Sequence, residues 1–208
     1  MTLPNNLTSI GIGAFAGCNS LASITFPNTL TTIGAEAFNS CYSLTSITIP
    51  DSVTSIEGLA FMYCISLTNI TLPNNITSIG AEAFKCCENL TSIVIPNGVT
   101  SIGEEAFYVC KRLTNITIPN TVTSIENNAF AQCNNLKEVY YGGNESQWKQ
   151  ISIDKWNDPL TNATIHYNPN AVDTPITPNT TDTPSTPALI RSKPLHEFYR
   201  CICQCLLC

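Results

Sequence analysis

The sequence predicts a solenoid of the α/β repeat type: six 23-residue units, each a short parallel β-strand with a short helical or 3₁₀ segment, followed by a C-terminal closing unit. Three observations carry this. Phe15, Phe38, Phe61, Phe84, Phe107 and Phe130 stand 23 residues apart. Aligned on them, Pro27, Pro50, Pro73, Pro96 and Pro119 fall into phase, as do Ile33, Ile56, Ile79, Ile102 and Ile125 and the alanines that precede each phenylalanine. Cys18, Cys41, Cys64, Cys87, Cys110 and Cys133 follow each phenylalanine by three residues, and a leucine follows each cysteine by three more. A fixed period of this length marks an array in which each unit buries its apolar face only against its neighbours. Such an array offers a surface for binding.

Within a unit, Leu44-Thr45-Ser46-Ile47-Thr48-Ile49 alternates apolar with small polar residues and stops at Pro50, the pattern of one short strand. Alternation sends Ile47 and Ile49 inward and leaves Ser46 and Thr48 in solvent. A second extended piece, Val53-Thr54-Ser55-Ile56, leads through a turn to Ala60-Phe61, where a short helical or 3₁₀ stretch is expected to drop the phenylalanine into the core. Each coil therefore has a strand side and a more irregular side.

The outward residues of the strand side form two columns: Ser23, Ser46, Asn69, Ser92 and Asn115, beside Thr25, Thr48, Thr71, Val94 and Thr117. This hydroxyl and amide carpet suits hydrogen bonding to sugars or to a partner's backbone, and the polar members of the two columns are the candidate binding residues. Ser and Thr are equally ordinary occupants of an exposed strand. Without aromatic platforms or charge, the face is a poor site for a small molecule.

The pattern L-x-x-I-x-[IL]-P-x-x-[LV]-T-x-I-[GE]-x-x-A-F-x-x-C over residues 3–141 resembles the BspA-like, treponemal-type leucine-rich repeat. Val139 to Trp148, running on to Ala163-Thr164-Ile165-His166-Tyr167, resembles the closing unit of such arrays. The resemblance implies a leucine-rich-repeat solenoid over 1–141 and a cap over 142–168. It also implies a cell-surface or secreted, non-catalytic protein of the adhesin or surface-antigen type, with a host-cell, matrix or microbial surface protein or glycan as partner. The start of the chain departs from that picture. It has no charged segment followed by an apolar one, so no secretory signal is visible. Met1 also falls directly before Leu3-Pro4, inside a repeat, so the chain is expected to be a fragment. The alternative is an open N-terminal edge that supports weak self-association.

Composition changes near residue 168. Residues 169–188 set five prolines among Thr, Asn and Asp, the composition of a flexible linker. Residues 189–208 place Arg191, Lys193 and Arg200 before Cys201-Ile202-Cys203-Gln204-Cys205-Leu206-Leu207-Cys208. This tail reads as an incidental terminus, an acylated membrane anchor, or a metal or disulfide cluster, and contact with a membrane is expected only if it is acylated. The six repeated cysteines are expected to form a reduced, inward ladder, each behaving as a small apolar residue with a weak S–H bond to a neighbouring carbonyl. Cys86 falls outside that phase and is expected to face outward as the reactive thiol.

A net charge of −6 and a charged fraction of 12% exclude the basic stripe of a nucleic-acid binder. Glu36, Glu57, Glu82, Glu104, Glu105 and Glu126 are expected on the irregular side as a solvated face. Only His166 and His196 could act as bases, and no G-x-S-x-G, H-E-x-x-H, P-loop or dinucleotide fingerprint is present. The sequence thus implies no enzyme, cofactor or metal. Trp148, on a helix expected over Glu145 to Ile151, is assigned to covering the last coil, with sugar stacking as its other reading. Three functions remain: a binding module acting through the strand face, a structural or self-associating rod, and an accessory module of a larger extracellular protein.

Overall fold

The computed structural model describes residues 1–171; the expectations for the tail, and for all but the first three residues of the linker, lie outside the described residues. The coils stack as a parallel solenoid with two columns of strands. One column holds β1 (Ser9–Ile10), β2 (Thr32–Ile33), β4 (Ser55–Ile56), β6 (Ser78–Ile79), β8 (Ser101–Ile102), β10 (Ser124–Ile125) and β12 (Ser152–Ile153). The other holds β3 (Ser46–Thr48), β5 (Asn69–Thr71), β7 (Ser92–Val94), β9 (Asn115–Ile118), β11 (Glu138–Tyr141) and β13 (Thr164–Tyr167). Every pairing is parallel, and up to β11 the paired residues stand 23 apart, so that Ser46 lies beside Asn69 and Thr48 beside Thr71.

Register is fixed by burial, since a slip of one residue would carry each inward isoleucine to the solvent side. Ile47 and Ile49 are buried while Ser46 and Thr48 are exposed. The phenylalanines stack through the centre, with neighbouring ring centroids 5.1 to 5.6 Å apart from Phe15 to Phe130. Phe38 through Phe130 are fully buried; Phe15, in the first coil, is half-buried.

The irregular side differs from the expected short helix. It is a run of turns in which alternate amides reach the next coil: Glu36 donates to the Gly58 carbonyl at 3.2 Å, Phe38 to Ala60 at 2.8 Å and Ser40 to Met62 at 2.8 Å. The amides between them close local turns, as Ala37 does onto Gly34 at 3.2 Å and Asn39 onto Glu36 at 3.0 Å. Left-handed residues recur in two columns, Gly13, Glu36, Leu59, Glu82, Glu105, Asn128 and Trp156, and Gly17, Ser40, Tyr63, Cys86, Val109 and Gln132. A left-handed residue every fourth position prevents a helix and turns alternate amides toward the neighbouring coil.

The ladder on this irregular side runs unbroken between the coils of Phe61 and Phe84, with Leu59 donating to Ala81 at 2.9 Å and Phe61 to Ala83 at 2.9 Å. Both strand columns are interrupted at the same junction, between β4 and β6 and between β5 and β7. Among the described residues, the amides of Thr77 and Thr91 lack the coil-to-coil bond that Thr54, Thr68, Thr100 and Thr114 each make at 2.9 to 3.1 Å.

The cysteine ladder forms over five of its six members. Cys41, Cys64, Cys87, Cys110 and Cys133 are buried and unbridged. Each thiol donates to a phenylalanine carbonyl 26 residues earlier, from Cys41 to Phe15 at 3.2 Å up to Cys133 to Phe107 at 3.0 Å. Cys18, in the first described coil, is exposed. Cys86 does not face outward as its phase suggests: it is 1% exposed. It occupies the left-handed column between Tyr63 and Val109.

After β11 the chain runs through α1 (Glu145–Trp148), β12, α2 (Asp158–Thr161) and β13. Helix α1 is shorter than expected because Ile151 bonds back to Trp148 at 3.1 Å, a tight turn that brings Ile151 into the core. Asn144 and Gln147 form a capping box at its start. Gly143 is required there, since a β-carbon would lie 2.6 Å from the Tyr141 ring. Trp148 packs edge-on against Tyr141, centroids 5.1 Å apart.

Candidate binding surface

The strand side is built from two kinds of hydroxyl. The threonines just before β3, β5 and β9 serve the fold: Thr45 Oγ1 donates to the Ala22 carbonyl at 3.4 Å, Thr68 Oγ1 to Thr45 at 3.1 Å and Thr114 Oγ1 to Thr91 at 3.1 Å. Thr31, Thr100 and Thr123 do the same beside the other column, at 3.0, 3.3 and 3.1 Å. The outward side chains of the strands themselves are not taken up in this way. Among the described residues the hydroxyls of Ser46, Thr48, Thr71 and Thr117 hold no partner within the chain. Their hydrogen-bonding capacity faces solvent.

The structure places the sequence-derived candidates in two columns, interrupted between β5 and β7. Ser23, Thr25, Ser46, Thr48, Asn69 and Thr71 are exposed, and Ser92, Asn115 and Thr117 are half-buried. Asn69 and Asn115 lean onto the threonines that precede them, at 3.5 and 3.2 Å. Val94 stands 64% exposed beside Thr117, an apolar interruption in a polar column.

Sequence reasoning missed the far end of this face. Glu138 lies beside Asn115, Tyr140 beside Thr117, and His166 beside Tyr140. The Tyr140 and His166 rings stack at 4.9 Å and 15°, and the His166 Nε2 contacts Glu138 Oε2 at 2.5 Å. The face thus does end in an aromatic platform, with Tyr140 46% exposed. Its signal was present in the sequence, since Tyr140 lies 23 residues after Thr117. It was obscured because the closing unit breaks the repeat consensus.

The irregular side carries a charged cluster. Lys85 Nζ bridges Glu82 at 2.8 Å and Glu105 at 2.5 Å, and sits 5.5 Å from the centre of the Tyr108 ring. Burial lowers the Lys85 pKa, but hydrogen bonds and attraction from Glu105 and Glu82 outweigh it, leaving the amine above its ordinary value. Glu82 and Glu105 are therefore coil-to-coil ties and not simply solvated. Glu57 accepts from the Ser55 hydroxyl, and Glu126 from the Glu104 amide at 3.1 Å. Among the described residues no helix is long and apolar enough to cross a membrane.

Comparison with known proteins supplies a context for this surface. The profile of the BspA type leucine rich repeat region matches residues 1–111 and 55–173, with six copies. A leucine-rich repeat protein of Treponema pallidum is similar over 66% of this chain and 67% of its own, at 34% identity and a TM-score of 0.65. A leucine-rich cell surface protein of Faecalibacterium prausnitzii is similar over 74% of this chain and 62% of its own, at 26% identity and a TM-score of 0.50. A leucine-rich repeat protein of Bacteroides ovatus is similar over 68% of this chain and 48% of its own, at 28% identity and a TM-score of 0.50. The matched segment is thus about half to two thirds of each of these proteins. No curated protein sequence matches this chain.

Proposed function

Because this chain belongs to the BspA type leucine-rich repeat family, we propose that it is a non-catalytic binding module of a cell-surface or secreted protein. It engages a host-cell, matrix or microbial surface protein or glycan through the strand face. The observation that carries this reading is the pair of columns whose hydroxyls at Ser46, Thr48, Thr71 and Thr117 have no partner within the chain. A flat array of donors and acceptors at regular strand spacing engages an extended partner at many weak points, and copies on one surface multiply that affinity. The stacked Tyr140 and His166 add an amphipathic anchor at one end, the kind of residue that dominates interface energetics. The test compares the wild-type chain and Thr48→Arg/Thr71→Arg/Thr117→Arg for binding to epithelial cells, matrix proteins and a glycan panel. Loss of binding by the variant with unchanged circular dichroism supports the reading. Equal binding by both forms removes it.

A second reading, a self-associating rod, draws on the first coil, where Ile12 is 80% exposed and Phe15 only half-buried. It expects Ile12→Asp, and not the strand-face variant, to change the sedimentation coefficient.

A further inference from the structure

Trp156 breaks the composition of its column. The Asn128 amide donates to the Lys155 carbonyl at 3.0 Å as the Glu105 amide donates to Asn127 at 3.0 Å, so Trp156 stands where the coil below has Asn128. It shares the left-handed backbone of that column, at φ 61°. Glycine and asparagine tolerate this conformation best, and bulky residues such as tryptophan are disfavoured there. The indole is also 61% exposed, so it gains little from burial. Neither backbone geometry nor packing accounts for a tryptophan at this position.

The indole borders a hollow of about 660 Å³ on the irregular side, between the last coil and α2. Tyr108 and Trp156 supply aromatic surface, and Asn128, Gln132, Asp158 and Asn162 supply amides and one carboxylate. Among the described residues the side chains of these four polar residues hold no partner within the chain. Among the described residues no lysine, arginine or histidine lines the hollow. The size falls within the range of ligand sites, and the mixture of exposed aromatic surface with convergent amides is what orients a polar ligand in such a site.

We propose that this hollow is a second binding site, separate from the strand face, and that it takes a neutral pyranose sugar. The C–H face of the ring lies on the Trp156 indole, whose π face favours weakly positive hydrogens. The ring hydroxyls donate to the Asp158 carboxylate and exchange hydrogen bonds with the amides of Asn128, Gln132 and Asn162. The carboxylate disfavours an anionic sugar, because an anion there would meet Asp158, and among the described lining residues no opposite charge offsets it.

Saturation-transfer NMR on the full chain tests this with chitotriose, maltotriose, mannotriose and lactose, and with sialyllactose as the anionic comparison. The expected result is transfer to at least one neutral sugar. Its affinity should fall about tenfold or more in Trp156→Ala, equivalent to roughly 1.4 kcal/mol, and change less in Trp156→Phe. Thr48→Arg/Thr71→Arg/Thr117→Arg should leave it unchanged, which separates this site from the strand face. Because Trp156 is exposed, the alanine variant should keep its circular dichroism and melting temperature. Absence of transfer to every neutral sugar, undiminished binding by Trp156→Ala, or a preference for sialyllactose would each overturn the proposal.

Discussion

The backbone amide of Phe130 donates its hydrogen bond to the side-chain Oδ1 of Asn157, at 2.9 Å. In each coil below, the corresponding phenylalanine donates to an alanine carbonyl of the next coil, as Phe107 does to Ala129 at 2.8 Å. Asn157, itself 3% exposed, thus presents a side-chain amide where the stack would otherwise need another backbone. Its Nδ2 completes the substitution by donating to the carbonyls of Glu126 at 2.9 Å and Asp154 at 3.0 Å. One side chain closes an edge that would otherwise leave buried donors and acceptors unpaired.

Asn157→Ala should therefore destabilise the array by about 2–4 kcal/mol, since each buried polar group left without a partner costs roughly 1–3 kcal/mol. Asn157→Asp keeps the acceptor for Phe130 but loses both donors, and should also be destabilising. Urea unfolding checks this, and a loss below about 0.5 kcal/mol for Asn157→Ala, typical of an ordinary surface change, would contradict it.

The phenylalanine stack should be graded from its middle to its first coil. Phe84→Ala removes a fully buried ring with a stacked neighbour on each side, at 5.6 and 5.4 Å, and is expected to cost about 3–5 kcal/mol. Phe15 is half-buried with Phe38 as its stacking partner, so Phe15→Ala should cost markedly less. Equal losses at the two positions would show that the coils do not contribute through burial as described.

Thiol accessibility should follow burial and not sequence phase. Among the described cysteines, an alkylating reagent under native conditions is expected to label Cys18 and to leave Cys86 and the buried ladder unmodified until the protein unfolds. Peptide mass mapping distinguishes this from the outward-facing Cys86 that the sequence suggested.

The same burial makes stability pH-dependent at the alkaline end. Desolvation, with a contribution from the nearby Cys18, pushes the Cys41 thiol up to about 11, and desolvation holds Cys87 higher still. A group whose folded pKa is raised above its unfolded value favours the fold fully below the unfolded pKa and loses that contribution as pH rises. The melting temperature should hold level from neutral pH to about pH 9, the ordinary thiol value, and fall from there toward pH 11. A curve level throughout that window would argue that the ladder does not titrate on unfolding.

Hydrogen exchange should locate the junction at which both strand columns are interrupted. The Thr77 and Thr91 amides are expected to exchange before those of Thr54, Thr68, Thr100 and Thr114, because local opening is easiest where no coil-to-coil bond forms. Uniform protection along the array would count against a weaker junction.

Much of the solenoid can be read in the sequence because each repeated residue performs the same task in every coil. Ile47 and Ile49 alternate with Ser46 and Thr48, and that alternation is enough to fix which side faces solvent. The nine candidate residues of the strand face follow from the same alternation, and the structure aligns them in two columns. Tyr140 and His166 escaped notice because they meet across β11 and β13, in a unit that no longer follows the repeat.

The irregular side is less legible. Ala60-Phe61 has the composition of a helical turn, yet the amides of Leu59, Phe61 and Tyr63 donate to the next coil. Helix or turn is decided there by whether a neighbouring coil offers carbonyls at the right height, which no local propensity encodes. Cys86 was misread for a related reason, since its exposure depends on the coils above and below it.

The sequence by itself determined the period, the inward residues and the outward columns, because those depend on local alternation repeated at a constant interval. Only the tertiary structure decided how the last coil is closed, where the indole of Trp156 stands and which thiols are shielded. Each of those depends on what lies one coil away, and the closing unit reaches its positions by a path of different length from the 23-residue repeat.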